Sequence, residues 1–307
     1  MSLSVVTTLY KSEKYIVEFY ERIIKQIKEL GFTSYEIIFV NDGSPDKSVE
    51  VVKKLKASDD SIELRSFSRN FGHHKAIMYG LSLTQGELVF LVDVDLEEKP
   101  ELLSEFLKEI KSSRCDVIYG VQEKRKGAIF ERWSGSFFYK IFNTLSDTQI
   151  EPNQTIARLM TREYVLALRE IKENSIFFTG ISKWVGFEQK SITVKKGHKK
   201  ETTYSFVRKL SLFINSITSF SSRPLYYMFY VGFIMFVCSI LFSIFLTYKK
   251  VFLEIEISGW ASLMVSLYLL TGTILISVGI LGLYIGRMFN EIKQRPYIIE
   301  KEINKDG

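Results

Sequence analysis

The sequence predicts an α/β fold, in which a mostly parallel sheet is covered by helices and is followed by interfacial amphipathic helices and two transmembrane helices. Two observations support this prediction. Apolar, β-branched runs alternate with helix-like segments through the first part of the chain, which is typical of consecutive βαβ units. Two long runs without a charged residue then follow in the last third, and each is long enough to cross the hydrocarbon core of a bilayer.

Five strands and four helices are predicted in the first region. The strands are Leu3–Leu9, Tyr35–Val40, Ile62–Phe67, Leu88–Val92 and Asp116–Tyr119, and the helices are Lys14–Leu30, Pro45–Ala57, His74–Thr84 and Pro100–Lys111. Ser44 followed by Pro45 predicts the N-cap and the first residue of the second helix. Because parallel strands end at one edge of a sheet, we expect ligands to bind at their carboxyl ends.

The chain of 307 residues divides into four predicted segments. They are an α/β domain (1–200), a membrane-proximal amphipathic segment (201–224), a two-helix transmembrane hairpin (225–288) and a C-terminal tail (289–307). The spans correspond to Leu225–Leu246 and Trp260–Ile285; a pair of buried core helices is the alternative, but such helices rarely run this long without a charge. An ordinary core-facing helix is also an alternative for the amphipathic segment, whose place before a span favours the membrane interface.

Charge and cysteine content limit the classes of partner. The chain before the first span and after the second is more basic than the short loop between them, which by the positive-inside rule places both termini and the α/β domain in the cytoplasm and that loop outside. The N-terminus has no signal-peptide pattern. A net charge of +6 suits an anionic membrane face, since no basic-aromatic pattern of a nucleic-acid-binding module is present. Two cysteines are too few for a metal site or a disulfide framework.

Two acidic motifs follow predicted strands. Asp93 and Asp95 end an apolar run, and hard carboxylate oxygens at that place suit Mg²⁺ or Mn²⁺ bridging phosphate oxygens. Asp42 and Gly43 end an earlier strand, where a carboxylate can accept hydrogen bonds and a glycine permits close backbone approach. Either motif alone also fits a solvated turn or a helix cap. Their occurrence at two strand ends, in a chain that then enters a membrane, favours a binding site.

These motifs and several others resemble the polyprenyl-phosphate branch of glycosyltransferase family 2, which includes dolichol-phosphate mannose synthases and bactoprenol glucosyltransferases. The matching stretches are VVTTLYKSEKYI, FVNDGSPDKS, FSRNFGHHKAIMYGL, VFLVDVDLEEKPE, YGVQEKRKG, ARLMTREYV and KLSLFINSITSFSSRPL. The resemblance implies a GT-A fold and an inverting, metal-dependent transfer of a sugar from a nucleotide sugar to undecaprenyl phosphate. It also implies a bacterial-type inner membrane, with the reaction on its cytoplasmic face, and a homo-oligomer.

The resemblance also assigns roles to individual residues. Those implied to bind the nucleotide sugar are Thr8, Tyr10, Glu13, Asp42, Ser68, Asn70 and Asp93. Those implied to bind the acceptor phosphate are Arg125, Arg132 and Ser134, and the catalytic set is Asp93, Asp95, Arg125, Arg132 and Arg158. Asp95 and Glu97 are implied to hold Mg²⁺ or Mn²⁺. His73 is interpreted as a residue at the start of a helix, and a place near the active site is the alternative.

The sequence departs from the family pattern at two places. Glu97 stands where relatives have glutamine, and Thr155-Ile156-Ala157 stands where many relatives have Gly-Asp-Phe. The second departure removes an acid near the reacting sugar, so we expect a donor other than glucose or mannose, such as an amino or deoxy sugar. Two alternatives to the main function remain: transfer to another lipid acceptor, such as a lipid-linked oligosaccharide or diacylglycerol, and a catalytically weak membrane scaffold.

Overall fold

The computed structural model describes residues 1–122, 143–145, 149–174, 176–195, 218, 221–252 and 259–301. Within them, the strands are β1 (Ser2–Leu9), β2 (Ser34–Asn41), β3 (Ile62–Ser66), β4 (Leu88–Leu91), β5 (Val117–Gln122), β6 (Gln154–Thr161) and β7 (Gln189–Val194). The helices are α1 (Ile16–Glu29), α2 (Ser48–Lys56), α3 (His73–Leu83), α4 (Leu102–Ser112), α5 (Arg162–Arg169), α6 (Phe178–Trp184), α7 (Arg223–Phe252) and α8 (Trp260–Ile292).

The seven strands form one sheet in the order β3-β2-β1-β4-β6-β5-β7. All neighbours pair in parallel except at β6, which is antiparallel to both β4 and β5. The prediction of a mostly parallel α/β sheet is therefore confirmed. The chain moves outward from β1 to β3 and then crosses to the other side of β1 at β4. A sheet whose strand order reverses in this way has a crevice at the reversal, beyond the carboxyl ends of the two strands involved.

Both faces of the sheet are covered, because successive residues of a strand point to opposite sides. Val5 of β1 lies in one apolar cluster with Phe19 of α1 and Phe106 of α4. Val6 lies in a second cluster with Ile77 of α3 and residues of α5 and α6. All of β1 from Leu3 to Leu9 is buried, which explains its continuous apolar, β-branched sequence. Burial of each large apolar side chain stabilises the fold by about 1.5–3 kcal/mol.

The second helix begins three residues later than its sequence indicates. Ser44 and Pro45 were expected to be its N-cap and first residue, but α2 begins at Ser48, so that prediction is wrong. The hydroxyl of Ser44 donates instead to the carboxylate of Asp46 and accepts from the backbone amide of Lys11. Asp46 accepts from the amide of Ser48 and so satisfies a backbone donor at the start of the helix, as a capping residue does.

Two helices, α7 and α8, are long and apolar enough to cross a membrane on the basis of length and composition. The apolar stretches within them are Arg223–Leu246 and Ser262–Ile292, with mean hydropathies of 2.5 and 2.1. Large apolar side chains along both helices are exposed, among them Phe233 and Leu275. Contiguous apolar surface of this extent marks a face that contacts lipid or another protein. Most of the amphipathic segment predicted before α7 lies outside the described residues.

The end of α8 and the residues after it contact the α/β domain at the carboxyl edge of the sheet. Arg287 lies 3.5 Å from the carboxylate of Glu173, and Glu291 accepts from the amide of Asn174 at 3.0 Å. Beyond the helix, the carbonyl of Ile299 accepts from the amide of Ser68 at 2.9 Å. The last described residues therefore run antiparallel beside the end of β3.

Candidate active site

The crevice between the ends of β1 and β4 is bordered by the start of α3. Three segments meet there: the end of β1, the loop after β2 and the loop after β4. Each carries a polar residue that was expected to bind the donor, namely Thr8, Asp42 and Asp93. Because these strands are parallel neighbours in the sheet, their carboxyl ends lie at the same edge, as the sequence predicted.

Asp42 is 3% exposed, and its carboxylate accepts hydrogen bonds from two backbone amides. Its Oδ1 accepts from the amide of Phe71 at 2.7 Å, and its Oδ2 accepts from the amide of Gly72 at 3.0 Å. Burial raises the pKa of Asp42, while these two amides and the nearby His73 oppose that rise. Asp42 thus holds the loop between β3 and α3. Its expected contact with a nucleoside stays a prediction.

Gly43 brings the loop after β2 directly onto the loop after β3. A Cβ atom at Gly43 would lie 2.3 Å from the carbonyl carbon of Arg69 and 2.5 Å from the amide nitrogen of Asn70, and its φ is +61°. Only glycine tolerates both the close approach and the left-handed backbone. This contact places the residue after Asp42 against Arg69 and Asn70, and Ser68 and Asn70 on the same loop are exposed.

Asp46 organises the loop after β1, a role that was not expected from the sequence. Its Oδ1 accepts from the hydroxyls of Ser44 and Ser48, and its Oδ2 accepts from the amide of Glu13 at 3.0 Å. Burial alone raises the pKa of Asp46, but these donors outweigh it and lower the pKa to about 2. The Ser-x-Asp-x-Ser spacing is a recognisable turn and capping signal. Tyr10, in the same loop, is 48% exposed.

Asp93 is linked to the end of β1 through His73, the first residue of α3. The imidazole Nε2 lies 3.5 Å from Asp93 Oδ1, and the imidazole Nδ1 lies 3.0 Å from Thr8 Oγ1. The structure therefore brings together Thr8 and Asp93, as expected, and adds His73 between them. The expected helix-start position of His73 is confirmed.

The turn after Asp93 presents Asp95 and Glu97. Asp95 Oδ1 accepts from the amide of Glu97 at 3.1 Å, and Leu96 between them has φ +60°. A bulky residue in this left-handed region is uncommon and strained, and such strain clusters at functional sites. Leucine gave no sequence signal for this conformation.

The carboxylate oxygens at this turn fit a divalent cation that a substrate also coordinates. Within the described residues, no three His, Cys, Asp or Glu side chains form a cluster that could hold a metal. Mg²⁺ in phosphate-transfer sites normally takes one or two carboxylates and completes its octahedron with waters and phosphate oxygens. Asp95 and Glu97 supply that number of carboxylates.

Glu98 is a further buried acid, for which the sequence predicted no role. It is 1% exposed, and its carboxylate accepts from the amides of Ile156 at 3.1 Å and Ala157 at 2.5 Å. It therefore ties the acidic turn after β4 to the beginning of β6. Ile156 and Ala157 lie directly against this carboxylate, in the stretch where the family resemblance implies an acid.

Arg158 was expected to be catalytic, but its guanidinium is used inside the protein. The side chain is 1% exposed. It donates to Ser182 Oγ at 2.6 Å and to the carbonyls of Ile156 and Thr155, and it lies 4.5 Å from the ring centre of Phe178. Burial lowers the pKa of Arg158, and the nearby Glu98 opposes that change. The arrangement joins β6 to α6, and direct contact with a reacting phosphate stays a prediction.

Three expected site residues lie outside the described residues. They are Arg125, Arg132 and Ser134, which were assigned to the acceptor phosphate. Their roles remain predictions from the resemblance. Of the remaining expected residues, Thr8, Asp42, Asp93 and Asp95 lie around the crevice, and Glu13, Tyr10, Ser68 and Asn70 lie on the loops that border it.

The chain is similar to known proteins of one family. The family model described as "Glycosyl transferase family 2" matches residues 4–174. A protein of Mycobacterium tuberculosis (strain CDC 1551 / Oshkosh) named "Putative glycosyltransferases" is 39% identical, with 99% of this chain and 88% of that protein covered. The "Uncharacterized glycosyltransferase YkcC" of Bacillus subtilis (strain 168) is 35% identical, with 97% and 93% covered.

A third relative carries a more specific name. The "SfII prophage-derived bactoprenol glucosyl transferase" of Shigella flexneri is 32% identical, with 98% of each chain covered. The family match extends from the first strand to the loop before α6, so it includes the whole crevice. The chain is therefore a glycosyltransferase and belongs to glycosyltransferase family 2.

Proposed function

We propose that this glycosyltransferase transfers a sugar from a nucleotide sugar to a polyprenyl phosphate, undecaprenyl phosphate, with inversion and with Mg²⁺ or Mn²⁺. The observation that carries the proposal is the position of Asp42, Asp93 and Asp95 just beyond the carboxyl ends of β2 and β4 in a mostly parallel sheet, in a chain that continues into two long apolar helices. Similarity along nearly the full chain to a bactoprenol glucosyl transferase supports the choice of acceptor.

The chemistry of this transfer suits the groups that the crevice offers. A lipid phosphate is already largely ionised at neutral pH, so its oxygen needs little help from a general base. The main tasks are to hold the donor, to neutralise the departing diphosphate and to align the acceptor for in-line attack. Asp93 would orient the donor sugar and Asp42 would fix the loop that lines the nucleotide. A divalent cation held by Asp95 and Glu97 would supply charge compensation for the diphosphate.

The proposed location is the cytoplasmic face of a bacterial-type inner membrane, with both termini inside. The basic residues that flank α7 and α8 support this orientation. We further propose the domain division 1–200, 201–224, 225–288 and 289–307, and a homo-oligomer on the basis of the family resemblance. Arg125, Arg132 and Ser134 would bind the acceptor phosphate, because arginine pairs favourably with phosphate oxygens.

The donor sugar is proposed to differ from glucose and mannose. The support is the Thr155-Ile156-Ala157 stretch, which carries no acid, together with the engagement of Ile156 and Ala157 by Glu98. An amino or deoxy sugar is the proposed class. A donor screen in which UDP-glucose is the best substrate would contradict this part of the proposal and leave the remainder intact.

The test is transfer of radiolabel from a panel of nucleotide sugars into an organic-extractable lipid. The reaction contains purified full-length protein, undecaprenyl phosphate and Mg²⁺ or Mn²⁺, with EDTA and Asp95→Ala as controls. We expect label in the lipid phase that both controls abolish. Transfer that survives EDTA would contradict metal dependence. Nucleotide-sugar binding without lipid labelling would indicate another acceptor, and absence of binding as well would indicate the membrane scaffold.

A further inference from the structure

We propose that His73 is a positioning residue of the donor site, which holds the carboxylate of Asp93 in line with the hydroxyl of Thr8. Asp93 is thereby oriented towards an incoming nucleotide sugar. The inference rests on the proposed function, because it takes Asp93 to contact the donor.

The geometry is a bridge across the crevice. Thr8 is the last residue but one of β1 and Asp93 follows β4, and these two strands border the point at which the strand order reverses. One imidazole ring contacts both sides, at 3.0 Å from Thr8 Oγ1 and at 3.5 Å from Asp93 Oδ1. The side chain of His73 is 42% exposed and that of Asp93 is 23% exposed, so the bridge borders the open part of the crevice.

One tautomer of His73 suits both contacts. An ionised carboxylate only accepts hydrogen bonds, so the form that can donate towards Asp93 carries its proton on the imidazole Nε2. In the neutral ring, Nδ1 then accepts the hydroxyl proton of Thr8. Both polar atoms of one rigid ring are thus used, and the position of Asp93 follows from that of Thr8. The 3.5 Å separation exceeds a direct hydrogen bond, so the pairing is electrostatic or passes through a water.

The ring is itself held by the third loop at the crevice. His73 follows Gly72, whose amide donates to the carboxylate of Asp42 after β2. Gly72 has φ +109°, a conformation that L side chains rarely adopt. The start of α3 therefore joins the ends of β1, β2 and β4. If His73 served only to begin α3, its side chain would not need to contact residues at the ends of two strands.

The neighbouring His74 provides a matched control, because it contacts a different part of the protein. Its Nδ1 lies 3.3 Å from the carbonyl of Ile176, and its ring packs on Phe177 at 5.9 Å. Burial lowers the pKa of His74 to about 4, with the neighbouring His73 contributing. His74 supports the packing of α3 and does not face the crevice.

The experiment measures donor affinity in full-length protein purified in detergent. The probes are UDP-glucose, UDP-N-acetylglucosamine and GDP-mannose, each with Mn²⁺ and titrated by calorimetry. For the probe that the wild type binds, His73→Ala is expected to weaken Kd about tenfold, which corresponds to about 1.4 kcal/mol. In turnover assays, the KM for the donor rises by a similar factor and kcat changes much less.

The substitution His73→Gln is expected to restore most of this affinity. A side-chain amide also presents an acceptor and a donor about one ring-width apart, so its oxygen can face Thr8 and its nitrogen can face Asp93. Thr8→Val is expected to weaken donor binding like His73→Ala, and the double variant is expected to be no weaker than either, since both break one chain of contacts. His74→Gln is expected to lower the melting temperature and to leave donor Kd unchanged.

Four results would overturn the inference. They are wild-type affinity in His73→Ala, equal losses in His73→Gln and His73→Ala, an equal loss in His74→Gln, and a fall in kcat without a change in KM. If His73→Ala does not fold, Thr8→Val and Thr8→Ser replace it. The serine variant keeps the hydroxyl and must bind the donor like wild type. Weaker donor binding by Thr8→Ser would refute the bridge. A wild type that binds neither these probes nor any other nucleotide sugar of the donor panel refutes the proposed nucleotide-sugar donor, which is a separate result and removes the basis of the inference.

Discussion

Asp42 and Gly72 are joined by a hydrogen bond of 3.0 Å from the backbone amide of Gly72 to the buried carboxylate, and this contact sets the start of α3. Replacement of Asp42 by alanine leaves that amide and the amide of Phe71 without their acceptor. We expect a loss of about 2–4 kcal/mol in unfolding free energy, since a buried donor without a partner and a lost charged acceptor both destabilise. Thermal unfolding of the two proteins in detergent measures this loss of stability. Asp60→Ala, at an exposed position, is the control, and equal melting temperatures for the two variants would refute the role of Asp42.

Gly43→Ala tests the close contact between the loops after β2 and β3. The added Cβ would meet the backbone of Arg69 at 2.3 Å, which no side-chain rotation can relieve. Gly31→Ala is a matched control, because Gly31 has a similar φ of +70° and no atom within 4 Å of its Cβ position. We expect Gly31→Ala to cost about 1 kcal/mol for backbone strain, and Gly43→Ala to cost at least about 2 kcal/mol more because the loops must separate. Equal melting temperatures would show that the loops adjust freely.

The sequence predicted the first five strands well because its evidence was local and repeated, but it did not predict β6 and β7, which lie in a stretch of less regular pattern. The run Leu3–Leu9 is apolar and β-branched throughout, and β1 is buried along that whole run. The helices between the strands carry apolar residues at helical spacing, so their positions were predicted within a few residues. The carboxyl-edge location of Asp42 and Asp93 followed from parallel pairing alone.

The contacts within the site could not be predicted in the same way, because they depend on residues that are distant in sequence. Glu98 binds the amides of Ile156 and Ala157, a pairing that no single-sequence pattern encodes. The sequence around Arg158 would be the same whether its guanidinium faced a phosphate or Ser182. The left-handed backbone of Leu96 is imposed by its surroundings, since leucine itself disfavours that conformation.

Glu98→Ala is expected to destabilise the protein by about 2–4 kcal/mol, because two backbone amides of β6, one buried and one partly buried, lose a charged acceptor. Glu98→Gln keeps one acceptor oxygen and places an amide group towards backbone donors, so we expect an intermediate loss. Thermal unfolding of both variants tests this order. If Glu98→Ala unfolds at the wild-type temperature but loses metal-dependent activity, Glu98 belongs to the metal site and not to the link between the acidic turn and β6.

Arg158→Lys separates a buried structural role from a catalytic one. Lysine keeps the charge but cannot reproduce the forked contacts with Ser182, Ile156 and Thr155. We expect a fall of about 2–4 kcal/mol in unfolding free energy, as for other broken buried networks. Ser182→Ala is expected to reproduce part of that loss, because it removes the 2.6 Å contact. A variant with wild-type stability and a strongly reduced kcat would instead support the catalytic role implied by the family resemblance.

The final prediction concerns acid and Asp46. The pKa of Asp46 falls from its ordinary value of 3.8 to about 2 in the folded protein, so the ionised form is favoured by folding. A carboxyl with a depressed folded pKa stabilises the protein above its unfolded pKa and loses this contribution as the pH falls through the folded value. After allowance for solvent screening, the contribution is about 1–2 kcal/mol.

Asp46→Asn cannot ionise and also replaces an acceptor oxygen by a donor group that faces Ser44 and Ser48. We therefore expect the melting temperature of the wild type to exceed that of Asp46→Asn at pH 6, and the difference to shrink between about pH 4 and pH 2. A difference that stays constant over this range would mean that the charge of Asp46 does not hold the loop after β1, and that its hydrogen-bond geometry alone does so.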